Sequence, residues 1–328
     1  MNEIPQLCIL CEKSCSVETD GRTDNRYYQC DTCGEYLITR KARINHIENN
    51  QMSLEDKMRI AICSRERTIQ GLPVLFICAE DLGEGMREGA FTVTYILNHL
   101  FPSNVSDRMA RALRNLYKLT SHPGERLELA RATDYPVLLA ESDDTADFVI
   151  EEMAELGYIS YDKMDQTFGT WSLLVRAAGI AHIEELDKKD ARESSSQAFI
   201  AMWFSDDVSD AFDRGILPAV VNCGYRPMRI DSKETNNKIC DEIIAEINRS
   251  QFLIADFTGN RGGVYFKAGY AKGLGIPVIW TCRADCVDDL HFDTRQYSHI
   301  VWNTPEELYE KLIRRIAATI DGAIYPKR

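Results

Sequence analysis

The stretch QFLIADFTGNRGGVYFKAGYAKGLGIPVIW, residues 251–280, decides the fold. It opens with an uninterrupted apolar run, turns at the glycine-rich GNRGG, continues for a helical length and returns to a second apolar run, VIW. Two apolar strands joined by ten or more helical residues call for a right-handed crossover and a parallel pair buried on both faces. Outward from there, AFIAMWF (198–204) reads as a buried strand, and VSDAFDRGILPAVVNCG (208–224) as an amphipathic helix ending at Gly224. YRPMRI (225–230) reads as a strand, KICDEIIAEINRS (238–250) as a helix, HIVW (299–302) as a short strand and TPEELYEKLIRRIAATI (304–320) as the closing helix. The alternation predicts an α/β domain over residues 198–328 with a doubly wound parallel sheet.

Such a sheet, flavodoxin- or Rossmann-like in class, binds ligands outside the carboxyl ends of its strands. That rule selects Met202, Trp203 and Phe204 after the first strand, Asp231 after the second, Asp256 and Thr258 after the third, and the loop GNRGG (259–263). Gly262 and Gly263 let a backbone approach a ligand closely, and the helix that follows offers free N–H groups to an anion. For Asp256, Thr258 and Asn260 a capping or turn role competes with a ligand role. Trp203 suits base stacking and equally suits the core.

Composition bounds the rest. The chain has 328 residues, 45% hydrophobic and 27% charged, which excludes fibrous and disordered classes and predicts two or three domains. Thirty-eight Lys+Arg against 51 Asp+Glu give a net charge of −13, so the overall field opposes nucleic acid and anionic membranes. Small-molecule or protein partners are expected instead. No run approaches the ~20 apolar residues of a membrane span, and MNEIPQLC lacks the basic and apolar regions of a signal peptide, so a cytoplasmic location is expected.

Five of the 11 cysteines fall within the first 33 residues. Cys8 and Cys11, then Cys30 and Cys33, form two C-x2-C knuckles that place four thiolates for a tetrahedral ion. The spacing predicts a structural Zn²⁺ in a zinc-ribbon module over residues 1–40, with Cys15 spare and no open coordination position for catalysis. A redox role for the pairs is the alternative, opposed by the lack of a thioredoxin-type strand–helix pattern around them.

Residues 41–105 alternate short apolar and helical pieces, with VLFIC (74–78) as a strand, and form an α/β connecting segment. Residues 106–186 read as three helices, SDRMARALRNLYKL, ERLELARATDYPVLLA and DDTADFVIEEMAEL, followed by strands and a short helix, AAGIAHIEEL. That is the order of a winged helix, with Phe148, Met153, Leu156 and Tyr158 on the apolar face of the third helix. ADFVIEEMAEL carries four carboxylates and no Lys or Arg, so it repels phosphate, and a protein-binding or spacer role is expected rather than DNA binding. The serine- and charge-rich stretch 187–197 reads as a linker. His182 and His299, on apolar faces, read as packed residues.

AFIAMWF, the run from RIDSKETNNK through GIPVIW, and HFDTRQYSHIVW together resemble the nucleoside 2-deoxyribosyltransferase-like family, relatives of Toll/interleukin-1-receptor-like NAD-cleaving domains. The resemblance covers about residues 197–320. The zinc module and winged-helix-like segment look like the leading parts of bacterial proteins that carry this domain, many suspected of nucleotide or NAD cleavage in phage defence. The resemblance implies rupture of an N-glycosidic bond through an oxocarbenium-like sugar stabilised or trapped by a carboxylate. It also implies a homo-oligomer. By the same resemblance Asp256 contacts sugar or base, Asp231 and Asn237 contact base or ribose, and Met202, Trp203 and Phe204 form a pocket wall. Tyr265, in GGVYF, belongs to the implied substrate site. His291 and Asp293 touch ligand or fix their loop, and Arg295 binds phosphate or pairs with a surface carboxylate.

The departure falls at the nucleophile. Family members read GVYFEAG, and this chain has Lys267 in place of the glutamate. An ammonium there opposes a developing positive sugar by about 4 kcal/mol for unit charges 4 Å apart at an effective dielectric of 20, on the order of a thousandfold in rate. The expectation is an N-glycosidase or transferase acting on a nucleotide, nucleoside or NAD, impaired as it stands. Three explanations stay open: an introduced inactivating substitution, which the intact surrounding motif favours; a natural pseudoenzyme; or a different reaction carried by Asp256 or Asp231. A nucleotide-binding sensor and a zinc-ribbon transcription regulator are the competing functions.

Overall fold

A computed structural model describes residues 6–49, 52–80, 87–162, 169–230 and 239–324, side chains 239 and 240 excepted. Contacts divide the chain into two compact units, Met1–Leu186 and Asp187–Arg328.

In the first unit a six-stranded sheet runs in the order β1 (Gln6–Leu7), β2 (Ser14–Thr19), β3 (Arg26–Cys30), β4 (Gly34–Ile38), β5 (Leu75–Cys78), β6 (Ala90–Thr92). The first four strands pair antiparallel, whereas β5 lies parallel to both β4 and β6. The cysteine-rich segment and the segment after it therefore share one sheet and one core, which joins Tyr28, Tyr36 and Ile38 to Ile60, Leu75 and Ile77. Helices α1 (Arg40–Ala42), α2 (Leu54–Gln70) and α3 (Val93–Tyr95) complete this part. The Ser53 side chain accepts from Asp56 N to start α2, and Gly71, at φ 68°, ends it.

There follow α4 (Val105–Leu119), β7 (Arg126–Ala130), α5 (Arg131–Asp134), α6 (Asp143–Glu155), β8 (Ile159–Tyr161) and β9 (Thr170–Val175), the strands forming an antiparallel sheet in the order β7-β9-β8. Two expectations need correction here. ERLELARATDYPVLLA is not one helix: Leu127 and Leu129 alternate with exposed Arg126 and Glu128, a period of two that makes its first part a strand. On α6 the buried face is Ala146, Val149, Ile150 and Met153, while Phe148 and Leu156 point to solvent. The 100° step per residue puts 146, 149, 150 and 153 on one stripe, and 148 falls outside it.

The helix α7 (Ala177–Glu193) runs on through most of the stretch expected as a linker, with Lys189 and Glu193 paired one turn apart.

The second unit holds five parallel strands, β10 (Gln197–Ala201), β11 (Arg226–Met228), β12 (Phe252–Asp256), β13 (Val278–Arg283) and β14 (Ile300–Trp302), in the order β11-β10-β12-β13-β14. Alternate residues serve two cores. Ala198, Ile200, Phe252 and Ile254 pack with α8 (Leu217–Asn222) and α11 (Pro305–Thr319), while Phe199, Ala201, Leu253 and Ala255 pack with α9 (Ile239–Asn248) and α10 (Gly262–Gly273). Helices thus cover both faces, as the apolar runs demand. The helix expected over 208–224 is regular only in α8, where Pro218 sits in the first turn; Ala211–Ile216 is wound more widely. Strand order reverses between β10 and β12, which opens a crevice at their carboxyl ends.

The assignment of α6 faces is testable by urea denaturation. Met153→Ala should lower the unfolding free energy by about 2–5 kcal/mol. Phe148→Ser should change it by less than about 0.5 kcal/mol. A larger loss for Phe148→Ser than for Met153→Ala would put Phe148 in the core.

Candidate functional site

Two places gather chemistry. In the first unit Cys8 and Cys11 follow β1, Cys30 ends β3 and Cys33 immediately precedes β4, so a hairpin and a loop bring the two knuckles together. The four sulfurs lie within 4.8 Å of one another, with Cys8–Cys33 at 3.6 Å and Cys11–Cys30 at 3.5 Å. A disulfide would need about 2.05 Å. Four thiolates at 2.3 Å from a tetrahedral ion stand about 3.8 Å apart, so the cluster has the size of a metal centre. Cys8 and Cys33 are fully buried, and the Tyr36 hydroxyl lies 3.0 Å from the Cys8 sulfur, placed to donate to a thiolate.

The residue after each knuckle has left-handed backbone, Glu12 at φ 61° and Gly34 at φ 73°. At Gly34 a Cβ would also stand 2.4 Å from Thr68 Oγ1, so glycine is required there for space as well as for conformation. The arrangement offers four protein ligands and leaves no coordination position for substrate.

The second place is the carboxyl edge of the parallel sheet. Asp256 ends β12 and is buried; Oδ2 accepts from Thr281 Oγ1 at 2.6 Å and Trp302 Nε1 at 3.0 Å, and Oδ1 from Thr258 N at 3.1 Å. Burial pushes this carboxyl above its ordinary range, and the three donors oppose that push. Asp256 is therefore committed to the fold beneath the crevice. Thr258 is buried too, and its hydroxyl accepts from Arg283 N at 3.0 Å.

Above them the chain turns through Gly259 and Asn260, both with positive φ. A Cβ on Gly259 would come within 2.6 Å of the Trp203 ring, and the Arg261 guanidinium lies 3.9 Å from that ring's centroid. Trp203 is thus covered by Gly259 and Arg261 of the loop after β12, which favours the core reading over base stacking. Met202 is buried and Phe204 is exposed. Gly262 and Gly263 begin α10, and a Cβ at either would meet no protein atom within 4 Å. Protein packing does not require glycine at these two positions, and each weakens the helix by roughly 1 kcal/mol.

Lys267 is the sixth residue of α10, in its second turn, and is nearly buried with Nζ 5.6 Å from the Phe204 ring centroid. Tyr265 donates to Asn260 Oδ1 at 2.9 Å and accepts from His291 N at 3.1 Å, tying the helix start to the loop after β13. In that loop His291 and Asp293 are exposed and 3.3 Å apart. The Arg295 guanidinium donates to the Leu290 and Asp288 carbonyls, so it holds the loop's own backbone. Asp231 and Asn237 lie outside the described residues.

Sequence reasoning missed Arg229 and Arg261. Arg229 follows β11 and lies 3.8 Å from the Phe212 ring centroid, 5.8 Å from that of Phe204, with Nη1 4.0 Å from the Met202 sulfur. Its place one residue past a strand end was the available signal. His182 stacks on Tyr158 at 4.6 Å, and His299 packs against Phe257 and Trp280. A cleft of about 470 Å³ opens at the opposite, amino edge of the sheet, by Gln251 and Pro277. None of the described candidate site residues at the carboxyl edge lines it. Among the described residues no helix is long and apolar enough to cross a membrane.

No protein-family model matches the chain, and a search of curated proteins returns no match.

Replacing Asp256 by Asn would turn amide hydrogens toward either the Trp302 or the Thr258 N–H group, since the two bond to different carboxylate oxygens. Leaving one buried donor unmet costs about 1–3 kcal/mol. Asp256→Asn should therefore lower the unfolding free energy of the second unit by at least about 1 kcal/mol in chemical denaturation. An unchanged midpoint would show that the carboxylate is not bonded as described.

Proposed function

We propose that this chain is an N-glycosidic-bond-cleaving protein of the nucleoside deoxyribosyltransferase-like kind, acting on a nucleotide, nucleoside or NAD and impaired by Lys267. The observation that carries the reading is the placement of GNRGG and Lys267. The glycine loop leaves the carboxyl end of β12 beside the strand-order reversal, and Lys267 stands in the second turn of the following helix, near Phe204. A carboxylate at that place would face a developing oxocarbenium ion and stabilise it; an ammonium reverses the sign. Asp256 is no substitute nucleophile, because it is buried and accepts three internal hydrogen bonds. That argues against a different reaction run by Asp256.

The first unit supplies assembly or sensing. Its four-cysteine centre suits a structural Zn²⁺, since four thiolates and tetrahedral spacing match that ion's preferences. A homo-oligomer in the cytoplasm, serving in defence against phage, accords with the resemblance. A DNA-binding regulator is disfavoured: α6 presents Asp143, Asp144, Glu151 and Glu155 to solvent. The second reading, a sensor that holds a nucleotide uncleaved, is favoured by one observation, the nearly buried cation at position 267.

The test compares the chain with Lys267→Glu on NAD, nucleosides and nucleoside 5′-monophosphates, following free base by chromatography. Base release should rise by roughly a thousandfold or more in the glutamate form. Release by neither form, with binding intact, would remove the enzyme reading and leave the sensor. For the metal, elemental analysis should find about one zinc per chain, and Cys30→Ser should lose it together with stability of the first unit. Full retention of metal by Cys30→Ser would exclude the four-cysteine centre.

A further inference from the structure

We infer that the amino-edge cleft of the second unit is a further binding site, built for a small zwitterion with an apolar body, the chemistry of a free α-amino acid.

The cleft, of about 470 Å³, lies where the end of α7, the start of β12, the loop after α10 and the end of α11 meet. Its volume falls within the range of about 300–1,000 Å³ that suits a small ligand. Hydrogen bonds join its walls to one another. Gln251 Nε2 donates to the Glu193 carbonyl at 2.7 Å and to the Asp321 carbonyl at 3.1 Å, so one amide links α7 to the segment after α11. The Tyr225 hydroxyl donates to the same Asp321 carbonyl at 2.9 Å, and Arg192 Nη1 donates to the Leu274 carbonyl at 3.2 Å, which links α7 to the loop after α10. These bonds fix the walls before any ligand arrives.

Four charged side chains line the cleft, and only two of them are matched. Lys189 and Glu193 pair with each other at 3.7 Å along α7. Arg192 has five N–H donors and directs one to Leu274; among the described residues no carboxylate lies within ion-pair distance of it. Asp321 is bonded through its backbone carbonyl, and among the described residues its carboxylate meets no cation. An unmatched guanidinium and an unmatched carboxylate thus line one cavity without pairing with each other. A ligand carrying both a carboxylate and an ammonium satisfies the two together, whereas a simple anion or cation satisfies one and is opposed by the other. Leu274, Ile276, Pro277 and Ile320 supply an apolar lining, which favours an aliphatic body on the ligand.

This site is separate from the carboxyl-edge crevice. Gln251 and Asp256 stand at opposite ends of β12, roughly 16 Å apart at the rise of a strand, so ligands at the two edges can be held together.

Calorimetry on the full chain compares L-leucine with glycine, with 4-methylpentanoate, which is leucine without its ammonium, and with 3-methylbutylamine, which is leucine without its carboxylate. Leucine should bind about tenfold or more tightly than either single-charge analogue, and more tightly than glycine. Asp321→Asn keeps the backbone bonds to Gln251 and Tyr225 and should weaken leucine binding by about tenfold, as should Arg192→Gln. Leucine should also raise the melting temperature of the unaltered chain more than that of Asp321→Asn. Equal affinities for leucine and its two analogues, no binding of leucine or glycine by the unaltered chain, or leucine affinity unchanged in both variants would each overturn the assignment.

Discussion

The buried carboxylate of Asp256 organises the second unit. Its two oxygens take hydrogen bonds from Thr281 in β13, from Trp302 in β14 and from the backbone of Thr258. One side chain thus ties three parallel strands at their carboxyl ends and sets the direction in which the chain leaves β12. The loop from Phe257 to Arg261, the packing of Gly259 against Trp203 and the start of α10 all follow from that exit. A charge buried without such partners would be ruinous, and with them it is a device for geometry more than for net stability. The crevice floor is rigid because its polar groups are already satisfied by one another.

This explains which parts of the site were legible in the sequence. The strands around Phe199 and Leu253 are continuous apolar runs, and continuous runs with intervening helices leave little choice but a parallel sheet. The order of strands then places the crevice by topology alone. What a residue does there was less legible. Asp256 looks like a ligand contact in the sequence, and its role as a clamp depends on Trp302, 46 residues further on. Trp203 looks available for stacking until Gly259 and Arg261 are seen to cover it. Long-range pairing of this kind leaves no local period to read. The same limit accounts for β7, whose two-residue alternation spans only five residues, and for Phe148, an apolar residue on the wet side of its helix.

The first unit shows the complementary case, in which spacing alone was nearly sufficient. Two residues between paired cysteines fix a turn, and the turn fixes sulfur directions, so the four thiols converge without help from a large core. The structure adds that this centre is not a separate appendage. β4 begins immediately after Cys33 and pairs onward with β5, so the geometry of the knuckles is transmitted into the core that holds Ile60, Leu75 and Ile77. The tight approach of Gly34 to Thr68 on α2, with the hydrogen bonds of Glu35 to Thr68 and Ser64, couples the two.

In the proposed reading the sign of the charge at position 267 decides what the second unit can do. A glutamate there would lower the energy of a positive transition state, and a lysine raises it. Because Coulomb energies near a surface are about 4 kcal/mol per pair at contact distance, the effect of that reversal is not small. Lys267 is nearly buried on α10 beside the Phe204 ring, where salt screens its charge less than it would a charge in open solvent.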